Sequence, residues 1–391
     1  MEVSSNFECG NGKNIREIGQ NQYVLETNGS DPHYSFYFHF KLKGDSQRKD
    51  VTVTVLPDPE FAQADPDLFG DDRPTTLWVR RDEFGWTRLT HHWALVENDS
   101  FQVEKSRYRI QLRVEPNAEV EISNMLPLPY SEMCGWLKTL AETNPQWFSE
   151  VEIGRSEQGR AMMGLLLHDK EHTHRRRKKK TILVFGGEHA TEFAGPWSVK
   201  GLIEFLASTL PEARDLRERY EIMLAPQVNP DGNVNGTLHN IHRTNLHLDY
   251  GPKAAECRPT SREARALWEY ACEFKPEICL CLHCFNGPLF GSDPPYEGAY
   301  VPSLEVFPDS NSRKKQQAAN DHLCWHTDIA RFWHWKELLG RTDEVTLVTR
   351  LASRNGAVGV VFEPNMSNGV IACARSTVKA FRALISGLEN G

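Results

Sequence analysis

Ile182-Leu183-Val184-Phe185-Gly186-Gly187-Glu188-His189-Ala190-Thr191-Glu192 is the stretch whose reading decides the fold. Its apolar run predicts a buried strand. Gly186-Gly187 ends that strand in a tight turn, and an apolar-periodic helix follows (Val199, Leu202, Ile203, Phe205, Leu206). His189 and Glu192 sit between strand and helix. A His and a carboxylate on one turn at a strand's carboxyl end grip a Zn²⁺ from the same side, and open α/β sheets place their ligands there. A lone His-x-x-Glu carries little weight in a chain with 15 His. A second copy, His168 to Glu171, lies beside a charged run without a strand-turn-helix frame and reads as a solvated loop.

The same design recurs downstream. Strands are expected at Met162 to Leu167, Thr181 to Phe185 and Glu221 to Pro226, and helices at Trp197 to Leu210, Ser261 to Phe274 and Ile371 to Leu388. Glu277 to Leu282 is an apolar strand that delivers His283, and Val358 to Phe362 delivers Glu363. Asn229-Pro230-Asp231-Gly232 is a turn signature. Alternating strands and helices imply an α/β domain with a mixed sheet covered on both faces. His189 with Glu192, then His283, then Glu363 each stand past the end of a separate strand, so one rim gathers them. Two imidazoles and a carboxylate leave a fourth zinc position for water, the arrangement of catalytic zinc. A further unliganded carboxylate, Glu363, suits proton transfer from water to a leaving amine.

The first third reads differently. Phe36, Phe38, Phe40 and Leu42 alternate with polar residues, as do Val51 to Val55 and Tyr108 to Val114. Short strands at turn-length spacing, including Thr76 to Val79 and Trp86 to Leu89, predict an antiparallel β-sandwich over 1–125. His91-His92 within it are weak metal candidates. Leu126-Pro127-Leu128-Pro129 is the expected connector to a domain over 126–391, opened by a helix from Tyr130.

Bulk properties bound the function. The 391 residues are 39% hydrophobic and 25% charged, with a net charge of −8. That balance argues against nucleic-acid binding, and the basic run Arg175 to Lys180 reads as a solvated loop. No apolar stretch approaches the roughly 20 residues of a membrane span. The N-terminus lacks the features of a secretion signal, and 9 scattered Cys suit reduced thiols. Cytoplasm is the expected location.

With these residues in view, the chain resembles the zinc metallocarboxypeptidases, in particular their cytosolic branch. Phe7-Glu8-Cys9-Gly10-Asn11, Phe36-Tyr37-Phe38, Gly85-Trp86 and Leu128-Pro129-Tyr130-Ser131 are similar to that branch's N-terminal half. His189-Ala190-Thr191-Glu192 stands where the family has His-Pro-Gly-Glu, and Asn229 to Gly232 matches a family turn outright. The resemblance implies a zinc carboxypeptidase (phosphorylase/hydrolase-like) domain preceded by the sandwich. It also implies a Zn²⁺ held by His189, Glu192 and His283, with Glu363 as general base. The implied activity is release of a C-terminal residue, an acidic one such as glutamate being the candidate, from a peptide or protein.

The substrate segment departs from the family. Where an Asn-Arg pair holds the terminal carboxylate, this chain has His242-Arg243-Thr244-Asn245-Leu246-His247-Leu248-Asp249-Tyr250. Arg243 fits the family's earlier, oxyanion-stabilising arginine. If Asp249 matches the family's Asp, Gly251-Pro252 fall at the pair. Asn245 and Arg350 are then the substrate-binding candidates. Two alternatives follow: a zinc amidohydrolase acting on an amide that is not C-terminal, and a non-catalytic binding protein on the same scaffold.

Overall fold

The computed structural model describes residues 1–29, 36–62, 74–81, 85–89, 99–104, 107–168, 179–251, 258–285, 297–326, 331–334 and 346–390. His91-His92, Arg175 to Lys178 and Pro252 lie outside them.

The N-terminal strands are β1 (Glu2–Ser4), β2 (Lys13–Gly19), β3 (Gln22–Glu26), β4 (His39–Lys43), β5 (Lys49–Leu56), β6 (Leu77–Arg81), β7 (Gly85–Leu89), β8 (Ser100–Glu104), β9 (Arg107–Val114) and β10 (Glu119–Ser123). They form two five-stranded sheets, ordered β1-β4-β10-β6-β7 and β2-β3-β5-β9-β8. Every pairing is antiparallel but one: β3 and β5 run parallel. The alternation read in the sequence is real, since Val51, Val53 and Val55 of β5 and Tyr108, Ile110, Leu112 and Val114 of β9 are all buried. Phe36 to Phe38 are buried too, although the strand starts only at His39. A single turn, α1 (Pro59–Ala62), follows β5.

Helix α2 (Tyr130–Thr143) leads into an eight-stranded mixed sheet. Its strands are β11 (Phe148–Arg155), β12 (Ala161–Leu167), β13 (Lys180–Gly186), β14 (Tyr220–Ala225), β15 (Ile278–Leu282), β16 (Gly298–Val301), β17 (Arg331–His334) and β18 (Val358–Glu363), in the order β11-β12-β14-β13-β15-β18-β16-β17. The central four, β14, β13, β15 and β18, are parallel. Helices α3 (Ala194–Ala207), α4 (Pro211–Arg219), α5 (Pro230–Asn235), α6 (Arg262–Phe274), α7 (Ser310–His326), α8 (Leu347–Asn355) and α9 (Val370–Asn390) complete the chain.

The period-two geometry of a strand explains why the central strands read as unbroken apolar runs. Ile182 and Val184 of β13 join a core cluster with Val199 and Leu202 of α3 and Phe381 of α9. Leu183 and Phe185 point the other way, into a cluster with Leu267 and Trp268 of α6 and Leu351 of α8. The first cluster continues into the N-terminal sheets through Leu128 and Met125. Backbone and side-chain hydrogen bonds cross the same seam, Cys9 N to Val234 O at 3.1 Å and Asn11 Nδ2 to Gly236 O at 2.7 Å.

The Asn229 to Gly232 segment, expected as a turn, opens α5 instead. Asn229 caps it by accepting from Gly232 N, with Pro230 at the first helical position, where its missing N–H costs nothing. Ser261 caps α6 as its sequence predicts. All eight described cysteines are free thiols. Among the described residues no helix is long and apolar enough to cross a membrane.

Candidate metal centre at the sheet rim

Register brings the rim together. Gly186 pairs with Leu282, and Leu282 with Phe362, so β13, β15 and β18 end level with one another. The next residues outward therefore share one edge, with neighbouring strands about 4.8 Å apart. Gly187 turns the chain away from β13 at φ +75, where a Cβ would stand 2.2 Å from Gln227 Oε1. Asn229 Nδ2 donates to Glu188 O at 3.1 Å, and Ala190 N donates to Leu238 O at 2.9 Å, which fixes the His189 loop from below. Gly195 lets α3 approach β15 closely, since a Cβ there would lie 2.4 Å from Leu282 O.

His189 and His283 converge on Glu192. His189 Nδ1 lies 2.9 Å from Glu192 Oε1, and His283 Nδ1 lies 2.9 Å from Glu192 Oε2. The three side chains are buried, and their ligand atoms all lie within 4.8 Å of one another. Ligands about 2.1 Å from a tetrahedral zinc are about 3.4 Å apart, and a carboxylate bound through both oxygens draws the set closer. The donor set thus fits Zn²⁺ in type and spacing.

Two carboxylates at this rim are driven in opposite directions. Burial pushes Glu192 up, but His189 and His283 overcome it and hold the carboxyl at about 2. Burial also pushes Glu363 up, and although His283 and His189 oppose this, Glu192 adds to it, leaving the carboxyl at about 7. One acid is held as an anion and the other is poised to exchange a proton near neutrality, a pairing typical of a ligand beside a general base. Among the described residues the ligand group comprises His189, Glu192 and His283, without Glu363.

The remaining candidates fall elsewhere. Arg243 pairs with the N-terminal half: both its terminal nitrogens reach Glu60 of α1, at 2.9 and 3.2 Å, and its side chain is 56% exposed. A left-handed turn at φ 57 aims it at the N-terminal domain, and it shares no contact with the His189 group. Asn245 does reach the site, but through His189: its Oδ1 lies 3.0 Å from His189 Nε2. Arg350 is buried, donates to Tyr250 O at 2.7 Å and stacks on Trp268. Asp249 accepts from Thr260 and Ser261 at the start of α6, so it serves that helix.

Sequence reasoning missed Glu188, His247 and Cys281. Glu188 Oε2 lies 3.3 Å from His283 Nε2 and 2.7 Å from His247 Nδ1. Burial raises the Glu188 carboxyl, yet His247 and His283 reverse this and hold it far below the usual range. His247 is pushed down to about 4 by burial and by His283. A usable signal existed for two of them: Glu188 adjoins His189, and Cys281 points to the same face of β15 as His283, two residues on.

Comparison with known proteins places this geometry. Residues 133–249 match the family model described as zinc carboxypeptidase. It is 33% identical over 233 residues to mouse cytosolic carboxypeptidase 6, covering 58% of this chain and 42% of that protein. It is 26% identical over 251 residues to zebrafish cytosolic carboxypeptidase 2, covering 60% of this chain and 34% of the relative. The chain thus spans less than half the length of these curated relatives. A metallo-carboxypeptidase from Burkholderia cenocepacia superposes with a TM-score of 0.75 at 20% identity, covering 98% of both chains. One from Pseudomonas aeruginosa, solved with (2-guanidinoethylmercapto)succinic acid, gives 0.74 at 16% identity, over 100% of this chain and 99% of that one. These likenesses extend the carboxypeptidase fold across both halves of the molecule.

Proposed function

We propose that the chain is a zinc-dependent hydrolase that releases the C-terminal residue of a peptide or protein, with His189, Glu192 and His283 as metal ligands and Glu363 as general base. The observation that carries this reading is the convergence of His189 and His283, from two parallel strands, on the two oxygens of Glu192. Zn²⁺ bound there supplies Lewis acidity toward a scissile carbonyl and toward water. Glu363 takes the proton of the attacking water at its carboxylate and delivers it to the departing amine, a role its carboxyl near 7 suits. Asn245 orients His189, and Glu188 orients His283, as outer carboxylates and amides do for metal-bound imidazoles. The names of the relatives support a cytosolic setting and a protein or peptide substrate.

Glu363→Gln tests this directly. The variant retains metal and loses turnover by about 10²- to 10⁴-fold; undiminished turnover removes Glu363 from the mechanism.

A second reading, hydrolysis of an amide that is not C-terminal, is favoured by one specific observation. Arg243 is taken up by Glu60, Asn245 by His189, and Arg350 by the Tyr250 carbonyl. None of the three is turned to a substrate carboxylate, which a guanidinium would grip in a two-bond fork. Peptides with free and with amidated C-termini separate the two readings. Preference for free termini supports the carboxypeptidase, and equal cleavage supports the amidohydrolase.

A further inference from the structure

Behind His283, away from Glu192, four donors from three segments meet: Glu188, His247, Cys281 and the Nε2 of His283. All four residues are at most 5% exposed, and their ligand atoms lie within 4.8 Å of one another. His247 Nδ1 is 2.7 Å, Cys281 Sγ 3.3 Å and His283 Nε2 3.3 Å from Glu188 Oε2, and His283 Nε2 is 3.1 Å from His247 Nδ1.

Protons alone leave this cluster crowded onto one oxygen. Three groups crowd Glu188 Oε2, and the buried Tyr250 hydroxyl acts on the same carboxylate. A carboxylate oxygen offers about two lone-pair sites. With His283 Nδ1 given to the first site, Nε2 carries the ring proton. If His247 Nδ1 is also protonated, two N–H groups 3.1 Å apart and the Cys281 thiol compete for the lone pairs of one oxygen. If it is bare, its lone pair faces Glu188 Oε2 at 2.7 Å. Protonating Glu188 instead sends two donors to one nitrogen. A cation at the centre removes every conflict, because all four atoms then present lone pairs to positive charge.

We propose that Glu188, His247, Cys281 and Nε2 of His283 form a second site for a divalent metal ion, with the His283 ring bridging it to the first. Two imidazoles, a thiolate and a carboxylate form a closed tetrahedral set of the kind that suits Zn²⁺. Filling both sites releases two protons to solvent, one from the Cys281 thiol and one from the His283 ring. The second ion carries no open position, so its role is to lock β13, β15 and the 245–248 segment in register behind the first.

The test is metal counting on the full chain, with Zn²⁺ and then with Co²⁺ as the probe. The parent chain binds two equivalents, and its cobalt form shows a near-ultraviolet thiolate-to-metal band. Cys281→Ser keeps one equivalent and loses the band. His189→Ala keeps one equivalent and retains the band, and His283→Ala loses both. One equivalent in the parent chain without a thiolate band overturns the proposal, as does a band that survives Cys281→Ser. The parent spectrum decides even if a variant misfolds. A first site that fails while the thiolate band persists would refute the functional reading alone.

Discussion

Replacing Asn245 by Ala removes the amide that faces the outer nitrogen of His189. With Nδ1 given to the proposed metal, Nε2 carries the proton and donates to Asn245 Oδ1 at 3.0 Å. A neutral hydrogen bond of this kind contributes about 0.5–1.5 kcal/mol, or about 2- to 13-fold in an equilibrium constant. Losing the partner of a metal-bound imidazole weakens affinity by about 10- to 100-fold. The ranges overlap near 10-fold, and that is the expected loss of zinc affinity in Asn245→Ala. Asn245→Asp moves the other way, because a charged acceptor roughly doubles the bond and makes the imidazole a better donor to the metal. Competition with a chromophoric chelator at fixed pH measures both, with the denaturation midpoint as the control for folding. The expected order is Asp tightest, then Asn, then Ala. Parent-like affinity in the Ala variant, or an Asp variant weaker than Ala, refutes the idea that Asn245 acts through His189.

Other perturbations read other parts of the structure. Gly195→Ala places a Cβ 2.4 Å from Leu282 O, one residue before His283. It should cost about 1–3 kcal/mol of stability and weaken zinc binding, measured by urea unfolding and chelator competition; an unchanged midpoint contradicts the close approach. Asn233→Ala strips partners from Tyr130 N, the Cys9 thiol and Leu128 O at the seam between the two halves. Unfolding free energy should fall by about 1–3 kcal/mol, and a loss below the error of urea titration counts against it. Acid should weaken the N-terminal sheets through His39. Burial pushes that imidazole below its ordinary 6.5, against the opposing effect of Glu121. The unfolded chain then binds this proton more readily, so stability is full above about 6.5 and falls as the pH drops below it. Burial raises the Glu121 carboxyl, but His39 and Arg80 lower it further, so its contribution is lost lower still, as pH falls below the ordinary 4.5. A denaturation midpoint that is flat from pH 7 to 5 excludes the first effect, and one that is flat from pH 5 to 3 excludes the second.

The central sheet was legible because its strands are buried on both faces. Ile182 to Phe185 and Ile278 to Leu282 read as apolar runs, and the residues after them stood out as chemistry at strand ends. The edge of the sheet was not. Gly298 to Val301 and Arg331 to His334 are short edge-side strands whose pairing is set by tertiary contacts. The parallel β3–β5 pair escaped for a related reason, since alternation reports which face is buried and says nothing of direction. Within the candidate site, the grouping of His189, Glu192 and His283 was readable from their strand-end positions, whereas the direction of Arg243 was not. A single left-handed residue turned that side chain toward Glu60. His247 looks like an ordinary core residue until three segments of chain are brought together.

Anomalous diffraction at the zinc edge, on crystals of the full chain soaked in Zn²⁺, tests the central claim most directly. The account predicts an ion about 2.0–2.2 Å from His189 Nδ1, His283 Nδ1 and a Glu192 oxygen, with Glu363 close by but outside its ligand shell. An ion that binds elsewhere and leaves these three donors bare would contradict it, and so would one ligated by Glu363.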